Sequence, residues 1–395
     1  MRVTQIHVEG FRSIRDATVE RLPEISLVVG ANNAGKSNLL AALRYFRIPW
    51  AGGHRFDPAD FCAYSDFPEC RVTLSVHLEQ GELQQVFNDA APRVSADPRY
   101  LRSILDPVEA RLRDWRLTTV FRPQGQPAQI GLHHEATLLG GASLPAMLGA
   151  AKLSVPGADG TSVESSVMGL QTWIGWSVGA WVANRIHGLG PTRKPAPSVG
   201  AQAQDSVSED ASNLANALYR HWGMNNPQFQ MLQEWVHDMF PTVEGVVLVP
   251  GLSQELSLGI KESGIPAIIR VDAMSSGITQ AVAILAHLAL APNGALVTVE
   301  EPEAHFSPGS IKLLVERIAL ESRRVQVILA THSEDVLSVQ SIGPDVWYAS
   351  RGPAGDTTIQ RLNKIDYIDW LSVSLHGSNP NAPGAVQPRP PPGGH

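Results

Sequence analysis

The chain holds two cysteines, Cys62 and Cys70, and no His pair or further Cys stands at zinc spacing. No disulfide framework or zinc module staples the fold, and free thiols in a reducing compartment are expected. An excess of positive charge is also missing: 31 Lys and Arg stand against 38 Asp and Glu, a formal net charge of −7. That excludes a generally DNA-coating surface but leaves room for a local basic groove. No sustained heptad run occurs, so no long coiled-coil arm is expected, and no internal repeat appears. The start, Met1-Arg2-Val3-Thr4-Gln5-Ile6, has no apolar run of the signal-peptide kind. Residues 165–184 lack charge altogether and include Trp173, Trp176 and Trp181. Gln171, Thr172, Ser177 and interspersed glycines break that stretch. It reads as a buried helix of a soluble, cytoplasmic protein rather than a membrane span.

Against these absences stands one complete pattern. Gly30-Ala31-Asn32-Asn33-Ala34-Gly35-Lys36-Ser37 fits G-x-x-x-x-G-K-[ST] at every fixed position. Residues 24–29 read as a short buried strand before it, and Asn38 opens a helix after it. Strand, glycine loop and helix are what phosphate binding requires. Backbone N–H groups of Gly30, Asn32, Asn33, Ala34, Gly35 and Asn38 curl around the β- and γ-phosphates of ATP. Lys36 supplies a point charge, and the Ser37 hydroxyl ligates Mg²⁺.

Hydrolysis needs acid on the metal side and a base. Ala295-Leu296-Val297-Thr298-Val299 is an apolar strand ending in Glu300-Glu301. A carboxylate at a buried strand end reaches the magnesium shell, and the next orients or deprotonates the attacking water. One helix later, Val327 to Ala330 form a strand that ends in Thr331-His332-Ser333. Its histidine can hydrogen-bond the γ-phosphate or contact the water. Met274-Ser275-Ser276-Gly277 precedes a helical run and presents N–H groups and a hydroxyl to an anion.

Between these motifs the chain alternates. Val3 to Glu9 and Arg71 to Leu78 have the period-2 pattern of half-buried strands. Residues 100–115 have helical spacing, 117–121 read as a strand, and 211–222 and 227–240 read as helices. From 243 onward strands and helices alternate, the grammar of a parallel α/β sheet. The expected division is 1–75 for the N-terminal part of an ATPase head and 76–242 for an inserted, mostly helical middle lobe. Residues 243–376 complete the head, and the Pro/Gly-rich 377–395 form a disordered tail.

The order of these pieces resembles the ABC-type ATPases of the RecF/SMC/OLD group, closest to stand-alone AAA-like ATPases with an OLD-type head. Phe11-Arg12-Ser13-Ile14 is similar to that group's N-terminal element, and Glu300-Glu301-Pro302-Glu303-Ala304-His305 to its acidic strand and D-loop. The strong resemblance covers about 1–46 and 245–350; Gly190-Pro191-Thr192-Arg193 and Ser212 to Leu218 match more loosely. It implies an α/β P-loop NTPase head in which Lys36 holds the β/γ-phosphates, while Ser37 and Glu300 lie on the metal. Glu301 acts on the water, His332 is the switch histidine, and Ser275 and Gly277 complete the other protomer's site. Two heads would then sandwich two nucleotides, so a homodimer is implied.

Three departures stand out. Glu300 replaces the Asp of most ABC-type proteins, as the OLD-like group also does. Met274-Ser275-Ser276-Gly277-Ile278 is degenerate against L-S-G-G-Q, and Phe306-Ser307-Pro308 follows the D-loop where a second histidine is common. Gln80, Gln84 and Gln85 are the Q-loop candidates. The stretch after His332 is expected to be too short for a Toprim nuclease domain. Transporter motor heads lack an insertion of this size. The resemblance therefore implies a switch ATPase in DNA-related or anti-phage defence work, acting with a separately encoded nuclease or toxin. The alternative is a housekeeping repair or recombination ATPase that binds DNA through Arg111, Arg113, Arg116, Arg122, Arg185, Arg193 and Lys194.

Overall fold

The computed structural model describes residues 1–51, 69–90, 112–124, 129–138, 153–156, 162–165, 167–222, 226–251 and 254–369. The first half runs β1 (Arg2–Phe11), β2 (Ile14–Glu20), β3 (Ile25–Val29), α1 (Lys36–Ala51), β4 (Cys70–His77) and α2 (Gln80–Ala90). It continues through β5 (Asp114–Gln124), β6 (Gln129–Leu138), β7 (Leu153–Pro156), β8 (Ser162–Ser165) and α3 (Val167–Ala183). Next come β9 (Ile186–Leu189), β10 (Val199–Gly200), α4 (Leu214–Trp222), α5 (Pro227–Met239), β11 (Val243–Pro250), β12 (Glu255–Glu262) and β13 (Ile265–Arg270). The remainder is α6 (Ser276–Leu290), β14 (Leu296–Glu300), α7 (Pro308–Glu321), β15 (Gln326–Thr331), α8 (Glu334–Ser338), β16 (Asp345–Arg351) and β17 (Thr357–Asn363).

Two compact units form. Met1–Leu22, Ala41–Ile186 and Arg351–Thr358 make the first, and Pro23–Leu40, His187–Ser350 and Ile359–His395 the second. The first unit contains a sheet of order β2-β1-β4-β5-β6 with antiparallel pairings throughout. Simple alternation along β1 would put Val3 and Ile6 on opposite faces, yet both are fully buried. The register against β4 shifts between Val3 and Gln5, and this bulge returns both to the core side. At the β1–β2 turn Arg12 takes a positive φ of 49° and lays its guanidinium over the rings of Phe11 and Tyr45. Ser13 is held there by the hydroxyl of Thr357 at 2.7 Å.

The second unit is built on a six-stranded sheet, order β17-β16-β3-β15-β14-β9, and a smaller sheet in which β12 pairs β10, β11 and β13. All residues of β3, β14 and β15 are buried, as expected for strands covered on both faces. Helix α6 is buried from Gln280 to Leu290, so its apolar residues run around the whole helix rather than along one stripe. Arg324 caps its far end by donating to the carbonyls of Leu288 and Ala291.

The expected 76–242 lobe is divided between the units. Its strands β5 and β6 extend the N-terminal sheet, so among the described residues the segment supplies strands as well as helices. Its last helices, α4 and α5, bury Leu214, Leu218, Phe229, Leu232 and Val236 in the same core as β3, β14 and β15. Burial overrides sequence contiguity here, because the apolar faces of α4 and α5 are completed by the second unit's sheet. The expected helix at 100–115 lies outside the described residues except for its last positions, where β5 begins. The tail at 377–395 lies outside them too. The charge-poor 165–184 stretch contains α3, and among the described residues no helix is long and apolar enough to cross a membrane.

Candidate nucleotide site

Parallel pairing fixes where the chemistry gathers. Val29 pairs with Thr331 on β15, and Ala330 pairs with Glu300 on β14. The carboxyl ends of β3, β15 and β14 therefore lie along one edge, where open α/β sheets bind ligands. That edge carries the glycine loop, His332 and the acid pair.

The loop leaves β3 through Gly30 at φ 144°. A Cβ there would stand 2.2 Å from the Ala349 carbonyl oxygen, so only glycine fits. Asn33 and Gly35 also take positive φ, 62° and 102°, and α1 begins at Lys36. Asn32, Asn33 and Ser37 are exposed, Asn38 is half-buried, and Ala34, Gly35 and Lys36 are buried. The Lys36 amine turns back onto the loop and donates to the carbonyls of Gly30 at 2.7 Å and Ala31 at 2.9 Å. Burial pushes its pKa below the usual lysine value, while Glu301, Glu303 and Glu300 pull it back up. The loop and all three carboxylates thus share one electrostatic site.

Glu300 is 2% exposed. Glu301 follows at a φ of 45°, a left-handed conformation unusual for a side chain of this kind, and its N–H donates to Ala330 O at 2.8 Å. His332 is exposed, and its Nδ1 lies 3.4 Å from Glu303 Oε1. Ser275 caps α6, accepting the Ile278 N–H at 3.4 Å, and remains open to solvent. Gly277 sits against the D-loop, where a Cβ would be 3.2 Å from the His305 carbonyl oxygen. Gln85, a Q-loop candidate, instead accepts from Arg185 at 3.3 Å.

Oxygen donors of this kind suit magnesium. Ser37 presents an exposed hydroxyl at the start of α1, Glu300 a buried carboxylate, and the buried Oε2 of Glu303 has no hydrogen-bond partner. The residues fit a divalent cation beside a nucleotide. Two site residues escaped the motif reading. Glu303 was visible only as part of Glu-Glu-Pro-Glu. Arg193 was grouped with DNA-contacting cations but is 2% exposed and donates to the carbonyls of Glu300 and Glu301, both at 2.8 Å. Arg185 is likewise engaged, stacked 3.4 Å from the Trp181 ring centroid.

An AAA domain model, described as a putative AbiEii toxin of a Type IV TA system, matches residues 201–338, and an AAA ATPase domain model matches 1–50. Two uncharacterized proteins of Methanocaldococcus jannaschii are 41% identical over 46 residues and 43% identical over 44. These stretches are 12% and 11% of this chain but only 14% and 20% of the curated relatives' own length. The fold is similar to the SMC head bound to the C-winged helix domain of ScpA, with a TM-score of 0.56 and 14% identity over 93% of this chain and 100% of that one. It is also similar to a Pyrococcus furiosus Smc head with an extended coiled coil, bound to the C-terminal domain of ScpA. The TM-score there is 0.55, with 12% identity over 94% of this chain and 98% of that one. The fold is thus SMC head-like, and it carries a complete phosphate-binding loop. Within that class, the sequence matches on either side of the site are to AAA ATPase domains.

Proposed function

We propose that the protein binds ATP and hydrolyses it to ADP and phosphate as a two-headed switch. The reading is carried by the shared sheet edge, on which the Gly30 loop, Glu300-Glu301 and His332 meet. Lys36 exchanges its two loop carbonyls for phosphate oxygens. Ser37 and Glu300 would hold a magnesium ion, which would supply neutralisation of the phosphate charge. The Glu301 carboxylate orients the water and takes its proton as the new P–O bond forms and ADP leaves. His332, steadied by Glu303, donates toward the γ-phosphate.

The exposed Ser275 cap supports head-to-head pairing. It is a helix N-terminus of the kind that can take an anion, capped by Ser275. The family description of residues 201–338 as a putative AbiEii toxin of a Type IV TA system favours defence work with a separately encoded effector. A housekeeping DNA-binding role is less favoured because Arg193 is buried against Glu300 and Glu301 and the half-buried Arg185 stacks on Trp181. An OLD-like affinity belongs to the same reading.

Calorimetric titration with ATP and a phosphate-release assay test the central point. Lys36→Ala should weaken ATP binding by about 10- to 100-fold, the loss expected for one buried charge-assisted contact. Unchanged affinity would remove the loop from the mechanism.

A further inference from the structure

Arg193 follows the turn after β9, the strand beside β14 at the edge of the main sheet. A guanidinium has five donors in a fixed plane. Here Nη1 donates to Gly190 O at 3.1 Å and Glu300 O at 2.8 Å, Nη2 donates to Glu301 O at 2.8 Å, and Nε donates to Gln280 Oε1. Gln280 returns the contact by donating from Nε2 to the Arg193 carbonyl at 2.9 Å. The pair is buried, and Gln280 lies on α6, the helix that starts at the Ser275 cap.

Glu301 depends on this clamp. Its φ of 45° lies in the left-handed region that a residue with a side chain rarely adopts. The conformation is held from both sides, by the N–H on Ala330 O and by the carbonyl on Arg193. With both peptide groups fixed, the direction in which the Glu301 Cα–Cβ bond leaves the chain is fixed as well. We infer that Arg193 is a positioning residue for Glu301, and that through Gln280 it couples the Ser275–Gly277 end of α6 to the acid that handles water. The coupling is physical: shifting α6 moves Gln280, and Gln280 carries the guanidinium plane that holds the Glu300 and Glu301 carbonyls. Burial lowers the Arg193 pKa to about 10 against the pull of Glu303, Glu301 and Glu300, so the group stays charged at neutral pH. A lysine cannot reproduce the fork, since one ammonium cannot serve coplanar acceptors on three chain segments.

This inference rests on the ATPase reading, and the experiment separates the two. Steady-state phosphate release and ATP titration are measured on wild type, Arg193→Lys, Gln280→Leu and Gln280→Glu. Arg193→Lys should bind ATP–Mg²⁺ within about threefold of wild type, while kcat falls by about tenfold or more at nearly unchanged KM. Gln280→Leu should show the same split. Gln280→Glu, which keeps an acceptor for Nε but loses the donor to the Arg193 carbonyl, should recover part of the rate. A role in folding alone would lower the active fraction without such a rescue. Should Arg193→Lys fail to fold, the two Gln280 variants decide. Wild-type turnover with unchanged kcat in both Arg193→Lys and Gln280→Leu overturns the positioning role and leaves the ATPase reading standing. Absence of wild-type turnover overturns both.

Discussion

The Thr331 hydroxyl donates to Glu303 Oε1 at 2.7 Å, and the same oxygen accepts the His332 N–H at 3.2 Å. One carboxylate thus holds the end of β15 at the point where the histidine leaves the strand. Thr331 is fully buried, so Glu303→Ala strands its hydroxyl hydrogen. The expected cost is about 1–3 kcal/mol in urea unfolding, with His332 released and turnover reduced. A variant as stable and as active as wild type would count against the clamp.

The Glu301 carboxylate has a separate role from its neighbour. Glu301→Gln keeps size and hydrogen bonding but loses the basic oxygen. It should bind ATP, lose about 100-fold or more in turnover, and accumulate as a closed dimer in light scattering with ATP–Mg²⁺. Ser275→Arg places a bulky cation on the exposed cap of α6 and should block both dimer and turnover. Intact ATPase activity in Ser275→Arg would refute the shared site.

Gly30 tests the loop independently of charge. Its φ of 144° and the 2.2 Å approach to Ala349 O leave no room for a methyl group. Gly30→Ala should lose about 2 kcal/mol or more of stability, and nucleotide binding with it. A thermal melt near wild type would show that the loop tolerates rearrangement.

Lys36 should leave a signature in pH dependence. Its folded pKa lies below the unfolded 10.5 because burial penalises the ammonium. That penalty is present in full below the folded pKa and fades as pH rises to 10.5. Nucleotide-free wild type should therefore gain stability relative to Lys36→Met across that upper range. Parallel stability curves for the two proteins would disprove a net burial penalty.

The loop, the acid pair and the strand-end histidine were legible because each is a charged or glycine interruption of a short apolar strand. The helix start at Ser275 was legible for a related reason, since a capping hydroxyl is a local signal. Arg193 was not legible. It lies 107 positions before Glu300, and only the adjacency of β9 and β14 turns a surface-looking Gly-Pro-Thr-Arg into a buried fork. The division of the middle segment was equally hidden, because helical spacing in α4 and α5 names an apolar face without naming the sheet that covers it. The bulge in β1 defeated simple alternation by one residue.

The position of β3 has a consequence for synthesis. Its two neighbours, β15 and β16, are made far later, and Gln326 alone reaches back 303 positions to hydrogen-bond Pro23 O. The phosphate loop therefore leaves the ribosome attached to a strand with no partners, and must wait for most of the chain before it acquires its geometry. A chain stalled before residue 326 carries the complete glycine motif yet should retain no ATP, and pulse-labelled nascent chains of increasing length should gain nucleotide protection in a single late step.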